Sequence, residues 1–206
     1  MTDVTRSVSA TDAGAAARVA QRRIARPNGW WGAALFVATE ATLFGTLIGT
    51  YFYLRFNTPA WPPPGTERPE VAVPLVLTGA LVATTAPMFA AARAARAGSA
   101  PLAWLFVAAA TVVQGGYFAI QMHIFLRDLG TIPVKSSAYA SIYHTLLGTH
   151  HAHVAIGLLL NLWVLARLLG GLTNYRVVTV RVVSLYWYFV NLLAVCVVFT
   201  QISPSL

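Results

Sequence analysis

Five long apolar runs limit what this chain can fold into more than any other feature of its sequence. They cover residues 30–56, 71–92, 101–126, 138–168 and 182–202. Each is long enough to cross a hydrocarbon layer of ~30 Å, which takes roughly 20 helical residues. Because only helices satisfy their own backbone polar groups in such runs, we predict an all-α, polytopic membrane protein with five transmembrane helices.

The composition agrees with this prediction. Of the 206 residues, 57% are hydrophobic and 10% are charged, a balance that soluble domains do not have. The formal net charge of +8 does not indicate nucleic-acid binding. The basic residues lie mostly at the ends of the apolar runs, where such residues set membrane topology.

The basic residues also predict the orientation. If the N-terminus is inside, ten basic residues lie on the inner side and four on the outer side. The inner set is Arg6, Arg18, Arg22, Arg23, Arg26, Arg93, Arg96, Arg167, Arg176 and Arg181, and the outer set is Arg55, Arg68, Arg127 and Lys135. We therefore predict the N-terminus inside and the C-terminus outside. Residues 1–29 are polar and Arg-rich and are predicted to form a flexible cytoplasmic arm, with the bundle in residues 30–206.

A carboxyl and several imidazoles lie inside the apolar runs. Glu40 is the only acidic residue within any run, so it must face protein or water and be protonated or paired. His150 and His153 project from nearly one face of the fourth helix, with His151 a quarter-turn away. Antiparallel packing places both within roughly two turns of Glu40 in depth, which allows a buried Glu-His cluster.

Three kinds of site could use these histidines. A haem with two histidine ligands needs facing helices; His123 could face His144 or His151, but no second pair lies at matching depth. A di-iron site needs far more than the five histidines present. The remaining interpretation is a hydrogen-bonded core without metal.

Other polar or reactive residues in the runs favour structural roles. Cys196 lies alone in an apolar run and is interpreted as a small buried hydrophobe. The amides of Gln114, Gln121 and Asn191 are expected to form interhelical hydrogen bonds. Residues 61–65, Trp-Pro-Pro-Pro-Gly, predict a stiff connector after the first helix, with a proline-motif docking site as the alternative.

Several separate stretches resemble subunit III of the haem-copper respiratory oxidases, in its five-span bacterial form. The first run places Glu40 where that family has an intramembrane glutamate, and residues 61–65 resemble its Trp-Pro-Pro loop. Residues 149–154 resemble the Phe-His-Gly-x-His-Val motif, whose two histidines fall on His150 and His153. Residues 186–191 resemble the Tyr-Trp-His-Phe-Val-Asp motif of the last helix.

The chain departs from these motifs at four positions. Thr149 and His151 replace the Phe and Gly of the fourth-helix motif. Tyr188 and Asn191 replace the His and Asp of the last-helix motif. The last helix therefore lacks the ionisable pair that the family has.

The resemblance implies a subunit without catalytic, cofactor-binding or metal-binding residues of its own. Haem and copper would belong to partner subunits I and II of a cytochrome c or quinol oxidase that pumps protons in the bacterial cytoplasmic membrane. This chain would pack against subunit I, hold phospholipids and help keep turnover stable. Glu40, His150 and His153 would form a buried polar core. Arg93, Arg96 and Arg167 would contact lipid phosphates, unless they only snorkel to the interface.

Two other functions remain as alternatives. An accessory subunit of a nitric oxide reductase would have the same five spans. A small proton-coupled transporter would use Glu40 as its coupling acid, but inverted repeats and broken helices are expected of transporters. The five runs are interpreted as uninterrupted, which does not favour a transporter.

Overall fold

The computed structural model describes residues 28–66 and 71–205 of the chain as a bundle of helices. The helices are α1 (Asn28–Phe56), α2 (Ala72–Ala83), α3 (Thr85–Arg96), α4 (Ala100–Thr131), α5 (Ala138–Leu168) and α6 (Asn174–Ile202), followed by a 3-10 turn (Ser203–Ser205). Since α2 and α3 form one span, five helical segments are long and apolar enough to cross a membrane. The all-α fold with five spans is confirmed. The predicted arm falls almost entirely outside the described residues.

The second span is broken at Thr84, so it is not uninterrupted as the sequence suggested. Pro87 has no N–H to donate to the carbonyl one turn earlier, and its ring crowds that turn. At the break, the Thr84 hydroxyl donates to the Leu81 carbonyl (2.6 Å). Helical bonding resumes where the Met88 N–H donates to the Thr84 carbonyl (3.1 Å). The break therefore spans a single residue and leaves one continuous membrane-crossing segment.

The last helix begins at Asn174, eight residues before the predicted start at residue 182. Its first two turns contain Arg176 and Arg181, which apolar patterning does not count as part of a span. The side chain of Thr173 accepts a hydrogen bond from Arg176 N–H (3.3 Å) and caps the helix. Gly171, with φ +78°, makes the turn that precedes it.

Helix α6 lies at the centre of the bundle and α1 at its edge. Helix α6 packs against α1, α2, α3 and α5, whereas α1 packs against α5 and α6 only, among the described elements. Within the chain, 61% of the most apolar stretch of α6 is buried, whereas 6% of the most apolar stretch of α1 is buried. Helix α1 therefore depends on a few specific contacts to hold its place.

The connector after α1 is fastened to the end of α6. The indole N–H of Trp61 donates to the Tyr51 hydroxyl (3.1 Å), which lies 3.0 Å from the Ser203 hydroxyl. The guanidinium of Arg55 donates to the Ser203 carbonyl (3.0 Å). These bonds fasten the last turns of α1 to the end of α6, and the site described next fastens the middle of α1.

Candidate functional site

A hydrogen bond between Glu40 on α1 and His153 on α5 forms the centre of the candidate site. The Glu40 Oε2 atom lies 2.9 Å from His153 Nε2. The side chains keep 19% and 9% of their exposure, so the pair is largely removed from solvent within the chain. The edge of the His153 ring packs against Phe44, which is fully buried one turn after Glu40. The carboxyl at this depth is therefore paired, which is one of the two states that the sequence allowed.

The contact of His153 Nδ1, the second ring nitrogen, limits where hydrogens can lie in the Glu40 and His153 pair. His153 Nδ1 lies 2.8 Å from the Thr149 carbonyl, which can only accept, so Nδ1 carries a hydrogen. A single further proton then lies between Nε2 and the carboxyl. It makes the pair either two neutral groups or an imidazolium and a carboxylate, and both forms have the same net charge.

Helix α6 fixes the backbone beneath the pair. The hydroxyl of Tyr186 donates to the His153 carbonyl at 2.8 Å. Sequence reasoning included Tyr186 only in the resemblance to the last-helix motif and missed this contact. The Glu40 and His153 pair is thus held by side chains from three helices, α1, α5 and α6.

His150 does not join this pair. Its Nε2 atom lies 3.2 Å from the Tyr117 hydroxyl on α4, and its Nδ1 has no hydrogen-bond partner in the described part of the chain. His150 and His153 are about one helical turn apart on α5. His153 meets α1 on one side of α5, whereas His150 meets α4 on the other side. Of the three residues predicted as one polar core, the structure brings together Glu40 and His153 and places His150 apart.

The other histidines of α5 lie against aromatic rings of α4. His144 Nδ1 lies 2.8 Å from the Ala140 carbonyl, and its Nε2 has no partner among the described residues. Neither ring nitrogen of His151 makes a well-formed hydrogen bond in those residues, and the ring packs against Phe118 and Phe125. The imidazoles of His144 and His151 therefore pack mainly against aromatic rings, and three of their four ring nitrogens make no well-formed hydrogen bond among the described residues.

No metal-binding geometry is apparent in the described residues. Within 28–66 and 71–205, no three His, Cys, Asp or Glu side chains are grouped as a metal site needs. His123, the candidate partner for a haem-binding pair, is exposed on the surface of the chain, whereas His144 and His151 are buried.

A second polar network crosses the bundle at the break in the second span. The Thr84 hydroxyl accepts from Gln114 on α4 (3.0 Å) and from Asn191 on α6 (3.4 Å). Gln114 in turn accepts from Asn161 on α5 (2.8 Å), and Asn161 accepts from the Trp187 indole (2.9 Å). Four of the five spans are joined in this way, through residues that are themselves buried.

Sequence reasoning found only part of this network. It expected interhelical bonds from Gln114, Gln121 and Asn191. Gln114 and Asn191 form them, whereas Gln121 is buried but makes no hydrogen bond among the described residues. Thr84 and Asn161 were not singled out. The signals were present, since Thr84 lies three residues before a proline and Asn161 is an amide inside an apolar run. Asn191, which replaces the Asp of the family motif, also donates to Thr85 (2.9 Å), so a neutral amide fills that position with hydrogen bonds to α3.

An apolar cleft of about 460 Å³ separates one end of α1 from α5 and α6. It is lined by residues that include Phe36 and Val37 of α1, Trp163 of α5 and Tyr186 of α6. Phe36 and Val37 lie within one turn of Glu40, so the cleft ends next to the Glu40 and His153 pair. The Arg167 guanidinium lies 5.8 Å from the centre of the ring of Trp163, which lines the cleft.

Arg93 and Arg96 lie elsewhere. Both are exposed in the last turn of α3 and are not part of the cleft lining. The structure therefore separates Arg167, beside the cleft, from the other two arginines predicted to contact lipid phosphates.

Comparison with known proteins agrees with this architecture, although no protein-family model matches the chain. Cytochrome c oxidase subunit 3 of Bacillus subtilis is 30% identical over 170 residues, covering 79% of this chain and 78% of the relative. The subunit of the same name from Synechocystis is 32% identical over 166 residues, covering 78% and 69%. Cytochrome bo(3) ubiquinol oxidase subunit 3 of Pseudomonas aeruginosa is 27% identical over 174 residues, covering 82% and 80%.

The fold and site define a multi-pass membrane protein in which buried polar groups on neighbouring helices hydrogen-bond to one another. With these relatives, the chain belongs to the subunit 3 family of the haem-copper oxidases. It is part of a respiratory oxidoreductase complex in a bacterial membrane and has partner subunits there. The predicted family, and the prediction of a subunit III of a haem-copper oxidase, are confirmed.

Proposed function

We propose that this chain is a non-catalytic scaffold of its oxidase that packs against subunit I, contacts subunit II and leaves haem and copper chemistry to them. Its place would be the bacterial cytoplasmic membrane, with the N-terminus inside. The observation that carries the proposal is the 2.9 Å Glu40 and His153 hydrogen bond. A carboxyl and an imidazole that satisfy each other between helices hold α1 in place and are not free for a substrate.

The exposure of α1 supports contact with a partner. Only 6% of its most apolar stretch is buried within the chain, and large side chains such as Leu35 and Leu43 are exposed. An edge helix of this kind is covered in the membrane by lipid or by a neighbouring subunit. Subunit I, as the main neighbour expected from the family resemblance, is the proposed cover.

Bound phospholipid is the second part of the proposal. The cleft between α1 and α5/α6 has room for part of an acyl chain and is almost entirely apolar in its lining. Arg167, held over the ring of the cleft-lining Trp163, offers a cation for the lipid phosphate. Arg93 and Arg96 would bind other lipid phosphates at the surface. In this arrangement Glu40 and His153 keep the cleft in shape by fixing α1.

Replacing Glu40 tests the role of the pair in the assembled oxidase. Glu40→Ala leaves the His153 nitrogen without its partner, so we expect weaker retention of the subunit or faster inactivation during turnover, with the initial rate of oxygen reduction mostly intact. Glu40→Gln keeps a donor for the imidazole and is the matched control, expected to behave close to wild type. Loss of haem from the complex, or of the initial rate, in Glu40→Ala alone would contradict the scaffold role.

Purification in mild detergent tests the assembly itself. We expect the wild-type chain to co-purify with the two large oxidase subunits and with the visible spectrum of haem, while the separated chain contains no stoichiometric iron, copper or zinc. Phospholipid should remain bound and should decrease in Arg167→Gln. A chain that purifies alone, or that transports a proton-coupled solute by itself in vesicles, would overturn the proposal.

A further inference from the structure

A large polar cavity lies at the opposite end of the bundle from the lipid cleft. Its volume is about 1050 Å³, at the upper end of the roughly 300–1,000 Å³ typical of ligand pockets. The end of α4, the start of α5 and the end of α6 surround it, and the proline connector after α1 forms one wall. Nothing in the scaffold role described above uses this space.

Buried polar groups on the cavity wall have unused hydrogen-bonding capacity. Tyr139 is 2% exposed and packs its ring against Trp61 and Tyr143, but the described residues give its hydroxyl no hydrogen bond. Gln201 is 8% exposed and donates through Nε2 to the Tyr143 hydroxyl (3.3 Å), which leaves its carbonyl oxygen without a donor in the same part of the chain. Both residues line the cavity.

Asp128 supplies a carboxylate at the same wall. Its Oδ2 accepts from the Tyr143 hydroxyl (3.1 Å), and its Oδ1 is paired with Arg127, its neighbour in sequence, at 3.2 Å. The Arg127 side chain is 64% exposed, against 15% for Asp128, and an exposed pair of this kind neutralises the carboxylate only weakly. Asp128 also lies in the last turn of α4, where the helix dipole disfavours an anion and favours a cation.

The groups on the cavity wall disfavour a lipid phosphate as the occupant. A lipid phosphate would meet the Asp128 carboxylate and an unpaired amide oxygen, and the one cation on the described lining, Arg127, is already engaged with Asp128. A guanidinium or ammonium group would instead satisfy the carboxylate and the amide oxygen. The proline and tyrosine walls are suited to an extended peptide that brings such a side chain in.

We propose that this end cavity, which contains Asp128, Tyr139 and Gln201, receives a Lys or Arg side chain from an extramembrane segment of a partner subunit of the oxidase. The inference rests on the proposed scaffold function and adds a second attachment point to it. Helix α1 would be the contact within the membrane, and the cavity the contact beyond its surface.

Photocrosslinking in the assembled complex tests the proposal. A benzophenone amino acid replaces Thr131, which is exposed and lines the cavity, and Val112, 76% exposed on the same helix, is the control position. We expect the Thr131 probe to crosslink to a partner peptide that contains Lys or Arg, and the Val112 probe not to reach that peptide. Crosslinks only to lipid, to residues 67–70 of this chain, or to nothing would overturn the proposal.

A double-mutant cycle then identifies the charge pair. Asp128→Asn and neutralisation of the crosslinked basic residue should each weaken association of the subunit, about tenfold for a desolvated charge pair, and the combined variant should lose little more. Tyr139→Phe, which removes only the unpaired hydroxyl, should have a smaller effect. Independent, additive losses would overturn the assigned pair. If wild-type chain still co-purifies with the oxidase while these tests fail, the cavity inference fails and the scaffold function stands.

Discussion

At the scale of single residues, the histidines of α5 differ in what a change of side chain should cost. His153 bonds Glu40 and the Thr149 carbonyl, whereas His151 makes no well-formed hydrogen bond among the described residues and sits against Phe118 and Phe125. A buried polar group without a partner destabilises a fold, whereas a paired one does not. The two residues therefore allow the same substitution to be compared at two neighbouring sites.

We expect His151→Phe to be neutral or to stabilise the subunit by up to about 1 kcal/mol, because phenylalanine fits an aromatic site and carries no unpaired nitrogen. His153→Phe should cost about 1–3 kcal/mol, since it leaves the Glu40 carboxyl without a partner. Thermal unfolding of the complex in detergent measures both. A large loss in His151→Phe would show that its nitrogens bind a group such as an ordered water.

Gly157 on α5 gives a prediction about close packing. A methyl group added there would lie 2.6 Å from one Trp187 ring atom and 3.0 and 3.1 Å from two others. The ring has little freedom to move, because its N–H donates to Asn161 and the residue is fully buried. Gly157→Ala should therefore destabilise the bundle by about 1–3 kcal/mol through overpacking.

The control for this substitution is Gly116→Ala in the middle of α4. Apart from its two neighbours in sequence and the nearby backbone of α4 itself, no atom lies within 4 Å of the added methyl group at that position. Alanine there should be neutral or stabilising by about 0.5–1 kcal/mol, because it restricts the unfolded chain and favours the helix. Equal losses from both variants would mean that helix flexibility, and not the Trp187 contact, explains the effect at Gly157.

At the scale of helices, Pro87 causes the break in the second span, and the side chain of Thr84 stabilises it. The hydroxyl donates to Leu81 and accepts from Gln114 and Asn191, so one small residue joins α2 to α4 and α6. Interhelical hydrogen bonds in membranes are worth about 0.6 kcal/mol on average and up to about 1.7. Thr84→Val keeps the shape and removes these bonds.

We expect Thr84→Val to destabilise the subunit by about 1–2 kcal/mol, because two buried amides lose an acceptor. Thr84→Ser retains the hydroxyl and should be close to wild type. Thr46→Val is the matched control on the exposed face of α1, where the hydroxyl bonds only within its own helix. Unfolding midpoints that do not distinguish Thr84→Val from Thr46→Val would contradict a bridging role.

The sequence was sufficient for the number of spans but not for their details. The length of an apolar run identifies the residues that cross the hydrocarbon layer, but it does not detect helical turns outside that layer. It therefore missed the first turns of α6, which contain Arg176 and Arg181. It also placed Glu40, His150 and His153 at similar depth. Depth does not determine which neighbour a helix face meets, and His150 in fact turns to Tyr117 on α4. Partner choice depends on the packing order of helices, which periodicity does not encode.

At the scale of the whole molecule, the distribution of charge and the geometry of the bundle point to two chemically different ends. The lipid cleft and Arg167 lie at one end, and Arg93 and Arg96 lie at the same end but on α3, away from the cleft. The polar cavity with Asp128 and Tyr139 lies at the other. If the positive-inside rule sets the orientation, the arginine end faces the cytoplasm, and the cavity faces the outer compartment.

Cysteine labelling tests this orientation. Cys196→Ala removes the single native thiol, and a new cysteine is placed at Lys135, which is exposed in the loop before α5 and does not line the polar cavity, or at Leu169, 78% exposed after α5. In intact cells, an impermeant maleimide should label Lys135→Cys at once and Leu169→Cys only after the membrane is permeabilised. Both positions are on short connections at opposite ends of one helix, so they must report opposite sides. Labelling in the reverse order would place the polar cavity in the cytoplasm, where any basic segment that enters it would have to come from the inner face of the oxidase.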